Sequence, residues 1–302
     1  MILAATASQP ERQPASPRAS QRARARAAAP VRDPRPAAPA TPHAHAALRP
    51  TSMADPEAVG KAFLEQFYNA LDNNNAAVLG GLFQDSSTMS FEGETIKGVQ
   101  AIGQKLTSLG LPPKPERRIT SVCGQNSCCG NGAIIVFVTG EWVKQQYSES
   151  FQLVPTGNNS YFIYNYVFRV GMTNNFNVPP EGAELIKSFM GHYYQQYDGG
   201  LETRRSLQAL YGPTSVASFE RDEFVGPESI MAKMQELPLV QHDPNMAVDV
   251  QLINGLDIVL IVLWGQMSID GTNPMKFSQL FLIQKVNGSY IIGNQIFRLN
   301  YG

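Results

Sequence analysis

The chain repeats itself at the scale of a whole domain. Phe91-Glu92, Gly98, Ile102 and Lys105 return as Phe219-Glu220, Gly226, Ile230 and Lys233, every pair 128 residues apart. Phe63, Tyr68 and Asp72 return at an offset of 126 as Phe189, Tyr194 and Asp198. Ser160-Tyr161, Asn165 and Phe168-Arg169 return at 129 as Ser289-Tyr290, Asn294 and Phe297-Arg298. An offset held across a strand, a turn and a helix, and drifting only where loops absorb insertions, marks a duplication. The period is too long for a solenoid unit; two bodies of roughly 120 residues each fit the usual domain size.

Charge separates the domains from what precedes them. The net charge of −1 combines +6 over residues 1–52, which hold eight Arg, with −7 over the rest. The domains are therefore not a basic nucleic-acid binder. Residues 1–52 are Ala, Pro, Arg and Ser without an aromatic residue, and are expected to be disordered. Three readings stay open for them: an organelle transit peptide, a basic interaction arm, or sequence upstream of a start at Met53, which is favoured. Asp55-Pro56 would then open the first helix as N-cap and first helical residue. The longest apolar run, Ile258 to Trp264, is seven residues, far short of the roughly 20 that span a bilayer.

The first domain is expected over 55–171 and the second over 181–301, joined by a polar linker at 172–180. Phe63, Phe67, Ala70 and Leu71 lie at helical spacing on one face. A short helix near Ala76, a strand from Thr88 to Phe91 and a helix from Val99 follow, and then strands alone: Arg117–Val122, Ala133–Trp142, Glu149–Val154 and Tyr161–Val170. The second half repeats this order, with strands at Ala247–Ile253, Asp257–Ile269, Met275–Lys285 and Tyr290–Leu299. Helices followed by strands make an α+β domain.

The segments AFLEQFYNALDNN, FEGETIKG and YNYVFRV, and in the second half SFMGHYYQQYDG, GQMSIDG and NQIFRLNYG, resemble the nuclear transport factor 2 family in order and spacing. The resemblance covers about residues 55–301 and is plant-like. It implies two tandem cone-shaped domains, each with three helices packed on a curved antiparallel sheet. It also implies pairing through the sheet faces, either as an intrachain pseudo-dimer or as a homodimer. The typical member carries the GDP form of the Ran GTPase into the nucleus and binds Phe-Gly nucleoporins. The resemblance therefore implies a non-enzymatic import factor of cytoplasm, nucleus and nuclear pore, without cofactor or metal.

Carried over residue by residue, the cavity rim falls on Phe91 and Glu92 and on Phe219 and Glu220. The apolar wall falls on Leu109 and Val167, and on Leu237 and Ile296. The family's acidic hairpin falls on Asp270 and Thr272, so one acid of two is kept, and the first domain has no matching Asp. That departure supports an alternative, a protein-interaction scaffold of the mRNA-export or granule-adaptor type that does not bind Ran.

A cavity enzyme is the third reading. It needs a tuned acid or base inside the pocket. The first domain has no His; the second has His192 and His242, and no strand offers an evident buried carboxylate. Cys123, Cys128 and Cys129 lack a fourth ligand and a neighbouring His, and read as a small-residue loop, not a zinc site. Arg169 and Arg298, closing the last strand of each half, are expected to hold a structural carboxylate.

Overall fold

The computed structural model describes residues 55–109, 116–157, 160–171, 176–253 and 255–300. The leader and residues 172–175 of the linker lie outside the described residues. The first half runs α1 (Pro56–Asp72), α2 (Ala76–Gly81), β1 (Phe83–Phe91), β2 (Glu94–Lys97), α3 (Val99–Ser108), β3 (Arg117–Asn126), β4 (Ile134–Trp142), β5 (Gln145–Gly157) and β6 (Ser160–Val170). A short β7 (Phe176–Asn177) leads into the second half: α4 (Ala183–Asp198), α5 (Leu201–Arg204), β8 (Tyr211–Phe219), β9 (Asp222–Val225), α6 (Pro227–Glu236), β10 (Val240–His242), β11 (Ala247–Leu252), β12 (Ile258–Ile269), β13 (Met275–Val286) and β14 (Ser289–Leu299).

Local chemistry explains the repeat. Asp55 caps α1 by accepting from the Glu57 N–H at 3.2 Å, and Phe63, Phe67, Ala70 and Leu71 are all buried. Gly98 and Gly226, which precede α3 and α6, have φ of +85° and +82°. Side-chain-bearing residues rarely adopt that conformation, so glycine returns there.

The expected cone of curved antiparallel strands does not form. Each sheet is open, in the order β2-β1-β6-β5-β4-β3 for the first and β7-β11-β12-β13-β14-β8-β9 for the second, with β10 beside β12. Closure requires the two outermost strands to pair. Here β2 and β3 pair only with β1 and β4, so both remain edges. Nor are the sheets purely antiparallel, because β1 runs parallel to β6 and β8 to β14. The chain leaves β1 through a hairpin and a helix, crosses to β3 at the far edge, and returns through β4 and β5 to β6, which lies beside β1 in the same direction.

Each sheet has two occupied faces. One carries the helices and its own core, as around Phe67, Val136, Phe151 and Phe168 in the first half and Tyr193, Ile261, Phe277 and Phe281 in the second. The other meets the other half of the chain. Cys123, Ile135, Phe137 and Val167 pack there with Leu260, Val262, Trp264, Leu280 and Ile296 in one cluster. Polar pairs repeat across it with approximate two-fold symmetry. Asn165 donates to Gln251 at 2.6 Å and Gln251 to the Tyr166 carbonyl at 2.9 Å, while Asn294 donates to Gln125 at 3.0 Å and Gln125 to the Gln295 carbonyl at 3.0 Å. The two halves thus pair sheet to sheet within one chain. Sedimentation equilibrium is expected to return a monomer of 33.1 kDa; twice that mass would mean that the faces pair between chains.

Candidate functional site

On the helix-covered side of the second sheet lies a cavity of about 230 Å³. Aromatic and aliphatic side chains make most of its wall, among them Tyr194, Phe219, Leu237, Met267 and Phe297. Half-buried and exposed Glu220, Asp222, Lys233 and Pro238 mark its mouth. His242, Gln279 and Gln295 bring polar groups inside. His242 is held by Asp198: its Nδ1 lies 2.6 Å from Oδ1, and its backbone N–H donates to Oδ2 at 2.8 Å. Tyr194 donates to Gln279 at 2.8 Å, and Gln295 donates to the Tyr193 hydroxyl at 2.9 Å while accepting from Tyr211. Burial pushes the Tyr193, Tyr194 and Tyr211 phenols up, so each is a neutral donor or acceptor at physiological pH.

The same place in the first half is filled, and strand register identifies what fills it. Arg117 faces Trp142 across β3 and β4, as His242 faces Met267 across β10 and β12. Arg117 binds Asp72 at 2.8 Å and covers the Tyr68 ring at 4.1 Å. Trp142 packs on Phe168 with ring centres 4.8 Å apart, and Phe91 stacks on the same ring at 4.7 Å. Tyr166 stands where the second half has Gln295, since each lies opposite a buried Phe, Phe151 or Phe281. Three larger side chains, Arg117, Trp142 and Tyr166, thus occupy the positions that His242, Met267 and Gln295 leave open. Glu149 lies beneath them, accepting from Tyr68 at 3.2 Å and Tyr166 at 3.1 Å. Burial raises its carboxyl to about 7, against the pull of Arg117 and the two phenol donors.

The residues predicted from sequence divide accordingly. Phe219, Glu220 and Leu237 line the cavity together. Asp270, at φ +48°, stands in the exposed turn beside the lining residue Ile269. Phe91 and Leu109 pack against the first core. Glu92 and Glu220 occupy matching turn positions with φ of +52° and +56°. Each accepts from the last strand, from Val170 N–H at 2.5 Å and Leu299 N–H at 2.6 Å, and each carboxyl is raised by burial. Val167 and Ile296 are not cavity walls; they belong to the cluster between the halves.

Other features escaped sequence reading. His242, not His192, sits in the cavity, and His192 is exposed on α4. Glu149 and Asp249 are buried carboxylates, 1% and 0% exposed, where none was expected. The equivalence of Asp72 with Asp198 was the signal for the Arg117 and His242 pairs; only register joins them. Arg169 does hold a structural carboxylate, Asp249 of the other half, at 2.5 Å.

The family model for the "Nuclear transport factor 2 (NTF2) domain" matches residues 59–170 and again 185–299. The chain is similar to "Nuclear transport factor 2B" of Arabidopsis thaliana, 39% identical over 125 residues, which are 39% of this chain and 97% of that protein. It is also similar to "Nuclear transport factor 2" of Emericella nidulans, 36% identical over 124 residues, 39% of this chain and 97% of that protein. Among solved structures it is similar to nuclear transport factor 2 from Cryptosporidium parvum, at 34% identity and a TM-score of 0.36, over 42% of this chain and all of that one.

Proposed function

This chain belongs to the nuclear transport factor 2 domain family, and we propose that it is a non-catalytic adaptor whose second half receives one apolar side chain, aromatic in shape, from a protein partner. NTF2 domains are typically transport or scaffold modules, and among the described residues no group of three His, Cys, Asp or Glu could hold a metal. The observation that carries the reading is the asymmetry of the two halves. At about 230 Å³, the second-half cavity is smaller than the roughly 300–1,000 Å³ of ordinary small-molecule sites. It suits a single ring, whose burial supplies roughly 1.5–3 kcal/mol. Rim charges such as Glu220 and Asp222 then govern on-rate and choice of partner more than affinity.

Similarity to proteins named nuclear transport factor 2 favours a second reading, in which the partner is Ran-GDP or a Phe-Gly nucleoporin at the nuclear pore. Against it stands the replacement of one hairpin acid by Thr272. Calorimetric titration with Ran-GDP separates the two, whereas a Phe-Gly peptide is expected to bind under both. The adaptor reading expects Phe-bearing peptide to bind and Ran-GDP not to bind; Ran-GDP binding would make the chain a Ran carrier. Met267→Trp, which copies Trp142 into the second half, should reduce peptide binding by roughly the ring-burial energy, about tenfold or more. Unchanged affinity would remove the cavity from the proposal.

A further inference from the structure

The three cysteines do not share one loop. Cys123 lies in β3, buried, with its thiol 3.6 Å from the Ser218 hydroxyl of the other half. Cys128 and Cys129 sit in the turn between β3 and β4, both half-buried and free. That turn is tightly held: Ser127 N–H donates to the Ala133 carbonyl at 2.9 Å and Ala133 N–H to the Gly130 carbonyl at 3.0 Å. Its tip rests on the second half. Cys128 N–H donates to Asn294 at 2.7 Å, and a Cβ on Gly293 would come within 2.4 Å of the Cys128 sulfur. Only a glycine at 293 accommodates this side chain.

Gln152 Nε2 donates to the Cys129 sulfur at 2.8 Å, and the Cys129 N–H donates to the Ser127 hydroxyl at 3.2 Å. Donors aimed at one sulfur of a neighbouring pair stabilise its thiolate. The Cys129 thiol is lowered, chiefly by the neighbouring Cys128 thiol and further by Ser127 and Gln152, whereas its neighbour and burial raise Cys128. A loop built only for small residues requires neither two consecutive cysteines nor the amide donor.

We propose that Cys128–Cys129 is a redox modification site, a vicinal dithiol that hydrogen peroxide oxidises to a disulfide. The Cys129 thiolate attacks one peroxide oxygen; an S–O bond forms, the O–O bond breaks, and the departing hydroxide is protonated to water. The resulting sulfenic acid is resolved by Cys128. An S–S bond forms, the S–O bond breaks, and the thiol proton leaves with the hydroxide as a second water. Two electrons and two protons pass from the thiols to the peroxide. Adjacent Cα atoms are about 3.8 Å apart across a trans peptide, less than the roughly 4.4 Å lower limit of ordinary disulfides. The ring is therefore strained and easily reduced, which suits a reversible modification and not a structural staple. Closing it draws the Cys128 sulfur off Gly293 and loosens the contact of this turn with the second half.

Intact-mass and peptide analysis of the reduced full chain, treated with one equivalent of hydrogen peroxide, tests this. The expected result is loss of two hydrogens, mapped to the peptide holding Cys128 and Cys129 and reversed by dithiothreitol. Cys128→Ser should instead accumulate a sulfenic acid on Cys129 that dimedone captures, and Cys123→Ser should behave as wild type. Hydrogen exchange in 127–133 should rise on oxidation. A wild-type chain that gains oxygen without losing the two hydrogens, or that needs Cys123 for the bridge, would overturn the proposal.

Discussion

Replacing Asp249 with Ala is expected to destabilise the folded chain by roughly 3–5 kcal/mol, the usual cost of breaking a buried ion pair from one side. Arg169 and Asp249 are each fully buried and lie 2.5 Å apart across the junction of the halves. The Asp249 carboxylate also accepts from Ser90 at 2.7 Å and from Asn177 at 2.8 Å. One side chain of β11 therefore joins β1, β6 and β7. Removing it takes the carboxylate from a buried guanidinium and leaves two polar donors without this acceptor. The pseudo-symmetric site cannot compensate, because Cys123, opposite Phe137, stands where Asp249 stands opposite Val262. Urea unfolding measures the loss through the midpoint at constant slope. The double variant Arg169→Met with Asp249→Leu should recover part of it, since a well-packed apolar pair replaces a charge pair at little cost. A loss below about 1 kcal/mol would show that the pair does not hold the halves together.

Glu149 should make the chain less stable as pH rises. Its carboxyl is raised from an ordinary 4.5 to about 7, so between these values the folded state holds a proton that the unfolded state has lost. Stability falls across that window and levels off above it, by up to about 3 kcal/mol at roughly 1.4 kcal/mol per unit. Arg117 from β3, Tyr68 from α1 and Tyr166 from β6 face the carboxyl, and the tilt is what remains after their pull. Glu92 and Glu220 are raised as well, so the informative quantity is the difference between wild type and Glu149→Gln. The second half already contains that substitution: Gln279, opposite Phe297 as Glu149 is opposite Phe168, accepts from Tyr194 at 2.8 Å. Glu149→Gln should match wild type near pH 4, below the unfolded value, and be more stable at pH 8, by about 1–3 kcal/mol in urea unfolding. Identical pH slopes would mean that Glu149 is charged throughout.

The duplication, the helix order and the strands from Ala247 to Leu299 were legible because each rests on short-range pattern. What was not legible depends on facing and register. The resemblance places Val167 and Ile296 in the cavity walls, whereas Phe168 and Phe297, one residue on, face the helix-covered side. In a strand one step reverses the side, so motif position alone cannot choose. Which half keeps an open cavity depends on Arg117, Trp142 and Tyr166 against His242, Met267 and Gln295. Those residues meet only when separate strands pair. Curvature failed for a related reason: closure is decided by the outermost strands, and β2 and β3 do not meet.

One half of the chain carries an open cavity and the other a filled one. Methyl resonances of the methionines, followed while a Phe-bearing peptide is added, test this most directly. Met267 lines the cavity of the second half, and Met89 lies in the core of the first. Saturable shifts are expected at Met267 and none at Met89, with loss of the response when the wall residue Leu237 is replaced by Trp. Shifts at Met89 equal to those at Met267, or a peptide that binds without moving Met267, would contradict this asymmetry.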